Sequence, residues 1–251
     1  MIWIGTSGFQ YDEWKGTFYP ATLSKAKMLS YYAGHFSTTE VNYSFRRIPS
    51  LTTIEKWNRE TPSMFQFTFK APQEITHFRK LRDCGPILNA FADVIQTLDQ
   101  KLGVVLFQLP PTFERDDVVL GEFLNNIPKG LKSAFEFRHK SWLSDDTFSQ
   151  LEKAGAAVCI ADTEDLSTPV VFTAPYSYFR LRRTDYKKAD IERWAKVIQE
   201  RQSTDGDAYV YFKHEEAGVG PQFGKQLQQL LGVEPAPAPS KKSQLNLFPS
   251  S

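Results

Sequence analysis

Three observations predict an α/β fold of the TIM (β/α)8 class for this chain. Short β-like runs recur eight times, segments with helical spacing separate most of them, and no glycine-rich phosphate loop follows the first run to point to a doubly wound open sheet. The first run, Ile2 to Gly5, is apolar and short. Thr22 to Ala33 follows with helical spacing, then TTEVNYSF from Thr38 to Phe45, rich in β-branched and aromatic residues. Ser50 to Glu60 repeats the helical spacing, and FQFTFK, Phe65 to Lys70, alternates strictly. Pro86 to Lys101 is a long helical stretch before the apolar Val104 to Leu109. Asp116 to Asn126 separates that run from AFEFR, Ala134 to Arg138, and Ser144 to Ala154 leads to Ala157 to Ala161. The connection from Thr163 to Ala174 is short and broken by proline, too poor for a full helix. Tyr178 to Leu181, the helical Ala189 to Arg201 and Ala208 to Phe212 complete the series. Closing such a series into a barrel removes the edge strands that an open sheet would leave.

Parity along the strands carries the first functional clue. Glu40, Asn42 and Ser44 would share one face of their run while Val41, Tyr43 and Phe45 share the other. Gln66, Thr68 and Lys70 oppose Phe65, Phe67 and Phe69, and Glu136 and Arg138 oppose Phe135 and Phe137. Helices cover the outside of a barrel, so the greasy faces should point outward and the polar ones inward. Each polar series ends near the C-terminal end of its strand, where barrel enzymes assemble their sites. Two explanations compete: a binding or catalytic pocket, or a buried network in which Glu40 and Glu136 neutralise Lys70, Arg138 and Arg180. Buried ion pairs return little net stability, which favours the pocket.

The bulk composition sets limits. The chain has 251 residues, 41% hydrophobic and 24% charged, enough for one large core, and its net charge of +1 gives no bulk pull toward nucleic acid or membrane. Cys84 and Cys159 lack CxxC spacing, the N-terminal MIWIGTSGF has no signal-peptide pattern, and no apolar run approaches a membrane span. A reduced, cytoplasmic protein with no membrane partner is expected.

Five ordered stretches then carry a family resemblance: GTSGFQYDEWKGTFYP (Gly5 to Pro20), TTEVNYSFRRIPS (Thr38 to Ser50), FKAPQEITH (Phe69 to His77), LFQLPPTF (Leu106 to Phe113) and AFEFRHKSW (Ala134 to Trp142). Together they resemble the YecE-like family, also described as domain of unknown function 72, across roughly Ile2 to Leu231. The resemblance implies a TIM barrel similar in architecture to the endonuclease IV and xylose isomerase group, with no firmly assigned reaction. It would line one mouth with Thr6, Ser7 and Gly8 after the first strand, Glu40 and Asn42 after the second, Lys70 after the third and Gln108 after the fourth. Glu136, Arg138 and His139 would follow the fifth and Asp162 the sixth. Trp14, Tyr19, Tyr43 and Trp142 would be either aromatic walls or packing. The chain departs from the family pattern after the seventh strand, where Arg180, Leu181, Arg182 and Arg183 lack the family's histidine. After the eighth strand, Lys213, His214 and Glu215 replace paired asparagines and an aspartate, and Phe223 and Gly224 replace an Asn-Ala pair on the last helix.

The expected chemistry follows from these residue types. Glu40, Glu136 and Asp162 are candidate catalytic carboxylates. Thr6, Ser7, Asn42, Lys70, Gln108, Arg138, His139, Arg180, Arg182 and Lys213 are candidate substrate or phosphate contacts, since cations suit phosphate through charge-assisted hydrogen bonds. His35, His77, His139 and His214 show no metal-ligand spacing, so no metal residues and no cofactor are predicted, although a divalent ion gathered from several strands stays open.

After Leu231 the composition changes to GVEPAPAPSKKSQLNLFPSS. The expected domains are a barrel over 1–231 and a disordered, proline-rich tail over 232–251. QLNLF, at 244–248, resembles the bacterial sliding-clamp binding pentapeptide, which implies contacts by Gln244, Leu245, Leu247 and Phe248. The leading expectation is therefore a bacterial DNA-processing or repair-associated barrel recruited to the sliding clamp, with phosphodiester or glycosidic hydrolysis as the reaction class. The alternatives are a barrel enzyme acting on a small sugar phosphate and a non-catalytic adaptor.

Overall fold

The computed structural model describes residues 1–164, 166–202, 204, 206–213 and 218–234. Eight parallel strands close a barrel in sequence order, β1 (Ile2–Ser7), β2 (Thr38–Val41), β3 (Gln66–Lys70), β4 (Leu102–Gln108), β5 (Ser133–Glu136), β6 (Ala157–Asp162), β7 (Tyr176–Leu181) and β8 (Asp207–Phe212), with β8 pairing back onto β1. Outside lie α1 (Met28–Ala33), α2 (Leu51–Glu60), α3 (Gly85–Ile95), α4 (Asp117–Asn126), α5 (Asp145–Ala154), α6 (Lys188–Gln202) and α7 (Val219–Leu231). Among the described residues no helix joins β6 to β7, where proline and short length predict none.

Parity divides the molecule as the sequence predicts. Phe65, Phe67, Phe69, Phe107, Phe135 and Phe137 are buried between strands and helices in one continuous cluster. A second outer cluster joins Ile4, Ile160, Phe179 and Val210 to Trp194 and Ile198 of α6. The interior is a third cluster, with Trp3 stacked on Tyr209 at 4.7 Å and Tyr178 tilted against Tyr211 at 5.2 Å. These tyrosines fill the barrel yet need partners for their hydroxyls. Tyr211 Oη meets Thr38 Oγ1 and Thr68 Oγ1 at 2.8 and 2.6 Å, and Tyr176 Oη donates to the Ser133 carbonyl at 3.0 Å. The floor of the barrel is thus aromatic and hydrogen-bonded, and the polar mouth stands on it.

Closure is tight between β1 and β2. A Cβ on Gly5 would lie 2.0 Å from the Thr38 carbonyl oxygen, so only glycine lets these strands approach. Helix ends use local chemistry: Ser50, Asp116 and Ser144 accept from the backbone N–H of Thr53, Val119 and Thr147, and Gly155 closes α5 in the left-handed region.

Several elements differ from the sequence expectation. The second strand stops at Val41. Asn42 adopts a helical φ/ψ, and a 3-10 turn covers Tyr43–Phe45, so the alternation expected to Phe45 ends early. The expected helix from Pro86 to Lys101 breaks into α3 and a 3-10 segment, Gln96–Lys101, with Asp99 at a positive φ of 49°. Thr22 to Ala33 becomes a 3-10 turn and the short α1. The tail expected from 232 is described only to Glu234: Gly232 takes a left-handed conformation, Val233 N–H donates to the Gln228 carbonyl, and Val233 packs against the α6–β8 cluster. Gln244, Leu245, Leu247 and Phe248 lie outside the described residues, as does His214.

Candidate functional site

The C-terminal ends of the strands build a layered ionic site. At its centre is Arg180, 1% exposed, projecting from β7 where neighbouring β6 offers the small Ala157, Cys159 and Ala161 to the interior. Arg180 Nη2 donates to Glu40 Oε1 at 2.8 Å, and Nη1 donates to Glu136 Oε2 in a short contact. Glu40 is held further by Ser7 Oγ, its register neighbour on β1, and by Tyr178 Oη, which donates to Oε2 at 2.6 Å. Asn42 Nδ2 donates to Ser7 Oγ at 2.9 Å, so the turn after β2 closes over this cluster. Glu136 Oε1 accepts from Arg138 Nε at 3.0 Å and from Arg182 Nη1 at 3.4 Å.

Two buried carboxylates therefore share three guanidinium groups. Burial pushes both carboxyls toward protonation, but Arg180 dominates the opposing attraction. Aided by Ser7 and Tyr178 at Glu40, and by Arg138 and Arg182 at Glu136, it holds both below the ordinary carboxylate range. Such groups are poor general bases, because their lone pairs are occupied and their proton affinity is low. Their effect is to fix Arg180 and Arg138 in place.

Above the cluster opens a cavity of about 210 Å³ lined by Tyr11, Asn42, Phe45, Arg46, Lys70, Gln108, Arg138, Arg180 and Lys213. Five of these are basic, and none of the described lining residues is a carboxylate. Lys70, at the end of β3, is the most unusual. Its Nζ sits 3.8 Å from the centre of the Phe45 ring and has no hydrogen bond or ion pair among the described residues. Burial, followed by repulsion from Arg180, pulls its pKa down to about 7 despite attraction from Glu40 and Glu136. The Lys70 backbone is anchored by Ser44, whose Oγ donates to its carbonyl at 2.7 Å. Gln108, opposite Glu136 in the β4–β5 register, helps to keep that carboxyl ionised. Its buried Nε2 nevertheless lacks an acceptor at hydrogen-bond geometry. His77, packed edge-on against Phe45 at 5.0 Å, is pushed down first by burial and then by Lys70 and Arg138.

The candidate residues divide accordingly. Asn42, Lys70, Gln108, Arg138, Arg180 and Lys213 converge on the cavity, while Ser7, Glu40, Glu136 and Arg182 form or adjoin the ionic layer beneath it. Asp162 does not join them. It lies on the outward face of β6 with Ile160, and its Oδ2 accepts from Tyr186 Oη at 2.9 Å and Trp194 Nε1 at 3.0 Å, tying the barrel to α6. Thr6 also faces outward, its hydroxyl meeting Tyr32 Oη at 2.9 Å. His139 caps the turn over Lys140–Trp142, with Nδ1 2.8 Å from Ser141 Oγ. Trp14, Tyr19 and Trp142 are buried in aromatic packing, while Tyr43 is exposed. Tyr11, Phe45 and Arg46 line the cavity without having been expected there. The signal for Phe45 and Arg46 was their place immediately after the second strand, masked by extending that strand too far. With Asp162 outside, no group of three His, Cys, Asp or Glu side chains able to hold a metal ion occurs among the described residues.

The chain matches the family described as Protein of unknown function DUF72 over residues 3–245. It belongs to that family. UPF0759 protein YunF of Bacillus subtilis is 27% identical over 273 aligned positions, covering 93% of this chain and 96% of YunF. UPF0759 protein YecE of Escherichia coli K12 is 28% identical over 183 positions, covering 70% of this chain and 63% of YecE. A DUF72 family protein from Thermotoga maritima superposes with a TM-score of 0.84 at 26% identity, covering 92% of this chain and 99% of its own. A DUF72 family protein from Enterococcus faecalis superposes with a TM-score of 0.78 at 19% identity, covering 96% of this chain and 99% of its own, and shares the fold. The barrel is a family property. None of these descriptions assigns an activity.

Proposed function

We propose that this DUF72 barrel binds the phosphate group of a small phosphorylated ligand at its mouth, as the first step of an enzymatic reaction on that ligand. One observation carries the reading: five basic side chains line a single cavity that no described carboxylate enters, because Glu40 and Glu136 are held below it by Arg180. Lys70 has no ion pair among the described residues, Arg138 and Arg180 turn to the same cavity from their carboxylates, and a phosphate ester supplies a counter-anion with several acceptor oxygens. The unpartnered Gln108 Nε2 offers a further donor. The cavity volume suits a small ligand rather than an extended chain. Binding to the folded state raises thermal stability by mass action. A panel of phosphate monoesters at constant ionic strength should raise the unfolding midpoint, whereas their dephosphorylated parents should not. Equal shifts for both would refute the reading.

A second reading is favoured by the charge of the loops around the mouth and by the segment at 244–248. Arg46, Arg47, Lys80 and Lys140 lie on loops following β2, β3 and β5, which suits a longer polyanion such as DNA, while Arg79, Arg82 and Arg183 nearby are paired with Glu74, Asp116 and Asp185. Gln244, Leu245, Leu247 and Phe248 would recruit the barrel to a sliding clamp, making it a DNA-processing or repair-associated protein. Titration against the clamp of its own host tests recruitment. Binding lost on changing Leu247 and Phe248 to alanine supports it, and no binding by the intact chain rejects it. Failure to bind gapped or abasic DNA at low salt would reject the nucleic-acid role of the mouth.

A further inference from the structure

We propose that Lys70 is a covalent site: its amine condenses with the carbonyl carbon of an aldehyde or ketone whose phosphate is held by the cations around it. The inference rests on the phosphate-binding reading of the mouth and adds the reactive half of the ligand.

Lys70 differs from the other cations of the cavity in its surroundings. Arg180 and Arg138 are locked onto carboxylates, whereas Lys70 Nζ faces the Phe45 ring at 3.8 Å and meets no acceptor among the described residues. A lysine intended only as a counter-charge would gain from a carboxylate neighbour, and both nearby carboxylates are taken by guanidinium groups. Partial burial beside Arg180 favours the neutral amine, the form that attacks carbonyl carbon. Ser44 fixes the Lys70 backbone at the end of β3, so the side chain starts from a set position at the cavity wall.

The rest of the cavity supplies what a carbonyl would need. Gln108 stands two residues beyond Leu106, the register partner of Lys70, and its Nε2 lacks an acceptor. That amide can donate to the carbonyl oxygen and to the oxygen of the addition product. Arg138 and Lys213 line the same cavity and suit the phosphate.

The step balances without a further reactant. The Lys70 nitrogen lone pair forms the C–N bond as the carbonyl π electrons move to oxygen, and a proton passes from nitrogen to that oxygen to give a neutral carbinolamine. Loss of the hydroxyl as water, with the second nitrogen proton leaving in it, gives the imine. One proton from solvent converts the imine to the iminium. Amine plus carbonyl thus becomes imine plus water, with no oxidation or reduction.

The full-length protein would be incubated at neutral pH with glycolaldehyde phosphate, reduced with borohydride and mapped by mass spectrometry, while calorimetry follows inorganic phosphate binding to the same preparation. A lysine with a pKa near 7 has far more free amine at neutral pH than an exposed one, so Lys70 should carry at least ~tenfold more reduced adduct than any other lysine. Excess inorganic phosphate should suppress that adduct, and Lys70→Arg should abolish it. If phosphate binds but Lys70 is unlabelled, or labelled no more than surface lysines, the covalent role is wrong and the binding site stands. If phosphate does not bind and no adduct forms, both readings fall.

Discussion

Arg180 shows how one residue can organise a site without adding much stability. Its two carboxylate partners are almost fully buried, and the desolvation of three charges offsets most of their attraction. Breaking the cluster is another matter. Arg180→Met would leave two buried carboxylates without their cation and should cost about 3–5 kcal/mol, read as a lower urea midpoint. Glu40 and Glu136 have folded pKa values below the ordinary 4.5, so their ionised forms stabilise the fold above that pH. That contribution is lost as pH falls through their lowered folded values, and unfolding below about pH 4 should weaken in Glu136→Gln relative to the parent. Lys70 has a linkage of the same sign in a higher pH window, although here it is the charged form that the fold disfavours. Its folded pKa of about 7 lies below the ordinary 10.5, so the unfolded chain binds more protons between those values and stability rises with pH across that window. Comparing Lys70→Met with the parent from pH 6.5 to 10 should isolate that slope, which the variant lacks; identical slopes would contradict the depressed pKa. The inward placement of Glu40, Glu136 and Lys70 was legible from strand parity, whereas Arg180 was named without a parity argument of its own. Asp162 was misread although the same rule applied, because Ile160 and Asp162 share the face opposite Cys159 and Ala161.

At the scale of elements, the β–loop–helix order was legible because strands and helices carry different apolar periods. Their ends were less so. The second strand looked continuous to Phe45 because its residues suit strands, yet Asn42 turns into a helical conformation and brings Ser44 onto the Lys70 carbonyl. That local turn puts Phe45 beneath the Lys70 ammonium and Arg46 beside the cavity, geometry that alternation cannot reveal. Strand packing makes a sharp prediction at Gly5: replacement by alanine drives a methyl into the Thr38 carbonyl, and separation of β1 from β2 should cost at least about 3 kcal/mol. At the other end of the range, Ser144→Ala removes the side-chain acceptor for Thr147 N–H on α5 and should cost about 1 kcal/mol without altering the mouth. Thermal unfolding of the two variants side by side checks the order.

Over the whole molecule, a net charge of +1 conceals a basic mouth. Overall composition could not show this, since the barrel gathers Arg46, Lys70, Arg138, Arg180 and Lys213 from distant parts of the chain. Trp3, Tyr178, Tyr209 and Tyr211 fill the barrel interior with aromatic packing, and Tyr178 links it to the ionic layer through Glu40. No described helix is long and apolar enough to cross a membrane. Calorimetric titration with a sugar phosphate and with the same sugar lacking phosphate tests whether the mouth binds phosphate. Saturable binding of the phosphorylated form alone, weakened roughly tenfold or more by Arg138→Gln, is the predicted result. Equal affinity for both sugars, or phosphate-dependent binding indifferent to Arg138→Gln, would show that the basic mouth is not a phosphate site.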